Sequence, residues 1–63
     1  MVECVFLAQC KRMRKLVKVY VTNGYQISGV IADFDERTIS FTTEGGKTLL
    51  IYKTAISTIE LLD

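Results

Sequence analysis

The sequence has no histidine, no proline and only two cysteines. Without histidine, the commonest general base and a frequent metal ligand are both missing. Cys4 and Cys10 lack CxxC spacing and further soft ligands, which argues against a zinc staple and a disulfide-dense scaffold. Without proline, no strand edge is blunted by that residue. No run approaches the ~18 consecutive apolar residues of a membrane span. The apolar patch Val5-Phe6-Leu7-Ala8 comes before the basic pair Lys11-Arg12, the wrong order for a secretory leader. The expectation is a cytoplasmic chain with reduced thiols and no membrane partner.

Phosphate-loop chemistry is also missing, because Gly45-Gly46 is not followed by Lys-Ser/Thr. Asp33, Asp35 and Glu36 cluster, but two of them read as turn residues, where Asp is common for backbone reasons. We therefore expect no catalytic residue, no cofactor, no metal and no small-molecule substrate: the chain does not read as an enzyme. What is abundant is apolar residue content, 49% of 63 residues, with a net charge of only +1. A domain this short buries only about 60% of its unfolded surface. So much apolar side chain in so little interior points to subunit interfaces. Residues 1–63 are expected to form a single domain.

Two patterns divide the chain. Residues 3–14 read as a short helix, with Phe6, Cys10 and Met13 at i, i+4 and i+7 on one face. Cys4 and Cys10 lie about 240° apart around that helix and cannot bridge within it. From Leu16 the pattern is strand-like: Val17, Val19 and Val21 alternate with Lys18, Tyr20 and Thr22. Asn23-Gly24 predicts a two-residue type I′ hairpin turn. A long strand follows from Tyr25 to Phe34, and Gly29 inside it predicts a bulge or sharp bend. Turns at Asp35-Glu36-Arg37 and Glu44-Gly45-Gly46 bracket the strand Thr38–Thr43. Lys47–Lys53 and Ser57–Leu62 read as the last two strands. The expected fold is mainly β: an N-terminal helix, then over residues 16–62 a five-stranded, strongly bent antiparallel sheet forming a small barrel. The late strands are unusually apolar, and closure into a ring would remove their exposed edges.

The charge map is uneven. Lys11, Arg12, Arg14, Lys15 and Lys18, five of the eight basic residues, fall within eight positions. Two readings remain open: cations favoured at a helix C-terminus, or a phosphate-binding patch. Tyr20 and Tyr25 flank the Asn-Gly turn, with Gln26 and Ser28 following. They suit stacking on unpaired bases, or equally a cross-strand aromatic pair that stabilises the hairpin.

The order of residues resembles the bacterial Sm-like (Hfq) family. The first segment is Val19-Tyr20-Val21-Thr22-Asn23-Gly24-Tyr25-Gln26-Ile27-Ser28-Gly29, continuing to Phe34-Asp35. The second is Ile51-Tyr52-Lys53-Thr54-Ala55-Ile56-Ser57-Thr58, where the family pattern Tyr-Lys-His-Ala-Ile-Ser-Thr differs only at the histidine. The resemblance implies a homohexameric ring in which the fourth strand of one subunit pairs with the fifth of its neighbour. It also implies an RNA chaperone that binds single-stranded stretches of small regulatory RNAs and mRNAs and promotes their pairing.

Three surfaces carry over from the resemblance. For A-rich RNA on the distal face, the matching positions are Tyr20, Gly24, Tyr25, Gln26, Ile27, Ser28 and Thr58, with Ser28 shorter than the usual residue. For U-rich RNA on the proximal face they are Glu36, Arg37, Lys53 and Thr54. There Thr54 replaces the histidine and Glu36-Arg37 replaces a Gln/Lys-aromatic pair, so a weakened U-site is expected. On the rim they are Lys11, Arg12, Arg14 and Lys15. The departures at Glu36, Arg37 and Thr54 keep an alternative open, a small-barrel ring used as a protein-interaction or assembly module with weak or lost RNA binding.

Overall fold

A computed structural model describes residues 2–62, so Met1 and Asp63, the two ends of the expected 1–63 domain, lie outside the described residues. Helix α1 (Val2–Met13) is followed by strands β1 (Val17–Val21), β2 (Gln26–Phe34), β3 (Thr38–Thr43) and β4 (Thr48–Tyr52). A 3-10 turn (Lys53–Ala55) then leads into β5 (Ile56–Leu61). The strands form one antiparallel sheet in the order β4-β3-β2-β1-β5. The expected helix and five-stranded bent sheet are therefore present. Among the described residues β4 and β5 stand at the two ends of this order, so each is hydrogen-bonded to a neighbouring strand on one side only. No helix of the described residues is long and apolar enough to cross a membrane.

The alternation of the sequence explains the core. Val17 and Val19 of β1, Ile31 of β2, Ile39 and Phe41 of β3 and Ile51 of β4 point to one side of the sheet and are buried. Leu7 and Cys10 of α1 close over them. Each such side chain contributes about 1.5–3 kcal/mol by leaving water. Ile56 and Ile59 of β5 pack on the same cluster but are only partly buried. Cys4 is exposed and Cys10 buried.

The helix sits rotated from the expected stripe. Leu7 and Cys10 face the core and Phe6 packs at its margin, whereas Met13 is 56% exposed. The reason lies at the helix end. The Lys15 N–H donates to the Cys10 carbonyl (3.1 Å) and the Arg14 N–H to the Lys11 carbonyl (3.4 Å), the paired bonds of a Schellman stop. Arg14 takes the left-handed conformation this stop requires, with φ +50°. The chain turns into β1 immediately after it, and Met13 at the helix end is left outside the core.

The turn at Asn23-Gly24 differs from the two-residue type expected there. The Gly24 N–H donates to the Val21 carbonyl (3.0 Å) and the Val21 N–H to the Tyr25 carbonyl (3.0 Å). This makes a three-residue loop, Thr22-Asn23-Gly24, in which only Gly24 has positive φ (+97°). It is a type I turn closed by a left-handed glycine, the other common hairpin solution. The β3–β4 hairpin repeats it: the Gly46 N–H donates to the Thr43 carbonyl (2.9 Å), with φ +88° at Gly46.

The bend in β2 is not a bulge at Gly29. The register with β3 slips between Ile31 and Asp33, which makes Ala32 the extra residue. Gly29 instead allows close approach. A Cβ there would strike the Thr42 carbonyl oxygen and lie 2.8 Å from the Thr43 Cα and 2.9 Å from the Phe41 ring.

Candidate nucleic-acid interface

Directly opposed residues of an antiparallel pair share a face. Tyr20 lies opposite Gln26 and Lys18 opposite Ser28 across β1 and β2. Tyr20 also lies opposite Thr58, and Lys18 opposite Glu60, across β1 and β5. The side of the sheet away from the core therefore carries a polar strip of Lys18, Tyr20, Gln26, Ser28, Thr58 and Glu60. Four of the expected distal residues meet there: Tyr20, Gln26, Ser28 and Thr58. Ile27 does not join them. It lies opposite the buried Val19 and packs on the core.

The tyrosines are not a cross-strand pair, because the partner of Tyr20 is Gln26. Tyr25 stands at the hairpin tip beside Gly24 and is 70% exposed. Its backbone is fixed by the Val21 bond and by its own N–H donating to Asn23 Oδ1 (3.2 Å). One of the two readings of these rings, hairpin stabilisation by aromatic pairing, thus has no geometry behind it.

Tyr20 is held differently. Its hydroxyl donates to Glu60 Oε1 at 2.7 Å across forty positions of sequence. That hydrogen bond, with some burial and the carboxylate charge, raises the phenol above its usual value of 10.0. Tyr20, Thr58 and Glu60 line a shallow cleft of about 280 Å³. At the adjoining register shift between β1 and β5, the Ser57 hydroxyl donates to the Tyr20 carbonyl (3.0 Å). Sequence reading missed Glu60. The available signal was strand alternation, which sets Glu60 two residues from Thr58 on the same face of β5.

The expected proximal residues meet at a second place. Glu36 and Arg37 form the exposed tip of the β2–β3 turn. Asp35 shapes this turn: its Oδ1 accepts from the Arg37 N–H (2.8 Å), the Thr38 N–H (2.8 Å) and the Thr38 hydroxyl (3.1 Å). Those bonds, led by the Thr38 N–H, hold the Asp35 carboxyl below its usual 3.8, and the Lys53 charge adds to the effect. The 3-10 turn is clamped between two other turns. The Lys53 N–H donates to the Arg37 carbonyl (2.8 Å), and the Ala55 carbonyl accepts from the Thr22 N–H (2.8 Å). Lys53 Nζ sits 5.5 Å from the centre of the Phe34 ring, and Thr54 is exposed beside it. An open groove of about 350 Å³ runs from Phe6 and Leu7 past Lys53 to Ile56 and Ile59.

The rim residues share the end of α1. Lys11 is not a bare cation: its Nζ pairs with Asp33 Oδ1 at 2.9 Å. This ion pair, together with the Phe34 N–H, lowers the Asp33 carboxyl from 3.8. Arg12 and Arg14 are exposed and Lys15 half-buried. Among the described residues no cluster of His, Cys, Asp or Glu is arranged to hold a metal.

The family model described as Hfq protein matches residues 4–62. The RNA-binding protein Hfq of Ruminiclostridium cellulolyticum is 44% identical over 55 residues, which cover 87% of this chain and 68% of that protein. The RNA-binding protein Hfq of Thermoanaerobacter pseudethanolicus is 44% identical over 55 residues, and the match spans 64% of its length, just under two thirds. A crystal structure described as that of the pleiotropic translational regulator Hfq is similar with a TM-score of 0.91 at 36% identity. That similarity covers 97% of this chain and 100% of the other.

Proposed function

This chain belongs to the Hfq family, and we propose that it is one subunit of a homohexameric RNA-binding ring. The ring takes single-stranded A-rich RNA on the polar strip of its sheet and promotes pairing of small regulatory RNAs with mRNAs. The observation that carries this reading is the union of Tyr20, Gln26, Ser28 and Thr58 on one face, with the exposed Tyr25 at its end. Aromatic faces stack on unpaired bases, at about 1–3 kcal/mol per base, while amide and hydroxyl groups satisfy the base edges. Gly24 keeps the hairpin tip free of a side chain beside Tyr25. Ile27 supports the strip from beneath rather than touching a base.

Ring assembly is supported by the two strand edges. Leu50 and Tyr52 on β4 are 62% and 60% exposed, and Leu61 on β5 is 45% exposed. An apolar edge strand at each end of one sheet makes a head-to-tail interface that closes by rotation. Arg37, Lys53 and Thr54, with Glu36 opposing them, form a weaker site for U-rich RNA. Arg12, Arg14 and Lys15 supply nonspecific phosphate attraction, as does Lys11 when RNA competes with Asp33.

The test is a titration of labelled oligo-A and oligo-U at two salt concentrations, with particle mass followed by light scattering. We expect saturable, salt-sensitive oligo-A binding to a six-subunit particle, and weaker oligo-U binding. Tyr25→Ala removes most of the oligo-A affinity and leaves the particle mass unchanged. A ring that binds neither oligomer would be an assembly module instead.

A further inference from the structure

Glu60 is the one acidic side chain on the polar strip, and the function proposed above leaves it unused. It is exposed, at the wall of the cleft lined by Tyr20 and Thr58, and accepts the Tyr20 hydroxyl at 2.7 Å. That bond fixes ring and carboxylate relative to each other. An ionised carboxylate offers about four lone-pair positions, of which the phenol uses one. The cleft therefore joins a stacking face, from Tyr20, to a pure acceptor held beside it. Lys18, opposite Glu60 in the register, supplies positive charge for a phosphate close by.

The four bases meet such an acceptor differently. Guanine presents two adjacent donors on its Watson–Crick edge, N1–H and the 2-amino group. Adenine presents a donor, the 6-amino group, beside the acceptor N1, which a carboxylate repels. Cytosine likewise presents a donor beside an acceptor, and uracil one donor between two acceptors. Only guanine matches both carboxylate oxygens at once, in a charge-assisted bidentate pair.

We propose that Glu60 is a base-selecting residue, and that the Tyr20–Thr58–Glu60 cleft takes guanine in preference to adenine within a purine-rich strand. This rests on the reading that the strip binds RNA. Tyr20 then has two tasks: its ring stacks on the base and its hydroxyl positions the carboxylate.

The experiment compares labelled oligo-A with an alternating adenine–guanine oligomer and with the same oligomer carrying inosine for guanine. Wild-type protein should bind the adenine–guanine oligomer about tenfold tighter than oligo-A, the scale of one good bidentate base contact. Inosine, which keeps N1–H and lacks the 2-amino group, should fall between them. Glu60→Gln is isosteric and exposed, and its amide presents one donor and one acceptor. It should shift the preference toward adenine. Tyr20→Phe should retain stacking and lose much of the guanine preference. Equal affinities for the three oligomers, or a ratio unchanged by Glu60→Gln, overturns the role of Glu60 while oligo-A binding keeps the RNA reading intact. If none of the oligomers binds, the RNA reading falls and this inference falls with it.

Discussion

The Lys53 N–H donates to the Arg37 carbonyl at 2.8 Å, so the tip of the β2–β3 turn and the 3-10 turn before β5 form one unit. The bond is between backbones, and side chains on either loop can be changed without breaking it. Glu36→Gln therefore tests charge alone. Removing one negative charge near a phosphate path should raise oligo-U affinity by roughly threefold, the effect of a unit charge at about 6 Å in water. The unfolding midpoint should stay unchanged. Unaltered oligo-U affinity would show that Glu36 does not face the RNA.

Asp35 links the same turn to pH. Its carboxyl is held below 3.8, first by the Thr38 and Arg37 N–H donors, and Asp33 is lowered in the same direction, first by Lys11. Folding therefore favours the ionised forms. Their stabilisation is complete above the ordinary carboxylate value and is lost as pH falls through the depressed one. Urea unfolding of the wild type should show a declining midpoint below about pH 4. Asp35→Ala should lower the midpoint at neutral pH and flatten that acid decline. A parallel decline in the variant would assign it to other groups.

Gly29 and Gly45 make a matched pair. A methyl group at Gly29 meets the Thr42 carbonyl, the Thr43 Cα and the Phe41 ring, whereas at Gly45 it meets only Thr43 Oγ1 at 3.8 Å. Gly29→Ala must push two strands apart and should cost about 3 kcal/mol or more. That is much of the total stability of a small domain, so we expect insoluble or unfolded material. Gly45→Ala should be neutral or mildly stabilising. Thermal melts of the two variants check this, and similar melts would discard the close-approach argument.

Arg14 holds φ +50° at the helix stop, a conformation in which a Cβ is unfavourable. Arg14→Gly should stabilise the fold by about 1 kcal/mol, measured by denaturant unfolding. The same change deletes a rim cation and should make the dependence of RNA affinity on salt less steep. Greater stability with an unchanged salt slope would leave Arg14 as a structural residue alone.

The helix-end assignment of the basic cluster is realised in part. Lys11 and Arg12 do occupy the last helical turn, where cations oppose the helix dipole. Arg14 and Lys15 instead lie in the stop itself. The sequence counted five clustered cations; among the described residues the structure shows an ion pair for Lys11, with Asp33.

The features legible in the residues alone are local. The alternation of Val17, Val19 and Val21, the turn residues at Asn23-Gly24 and Gly45-Gly46, and the apolar stretch of the helix act within a few residues. Backbone sterics and burial then allow few alternatives, so element order and approximate bounds could be read directly. The motif around Tyr52-Lys53 sufficed to suggest the family. Which distant residues meet is set by the three-dimensional packing. The slip at Ala32, the pairing of Tyr20 with Gln26 rather than Tyr25, the Lys11–Asp33 ion pair and the Tyr20–Glu60 bond depend on strand register. Register is fixed by packing the whole core at once, and a shift of one residue would exchange the faces of an entire strand.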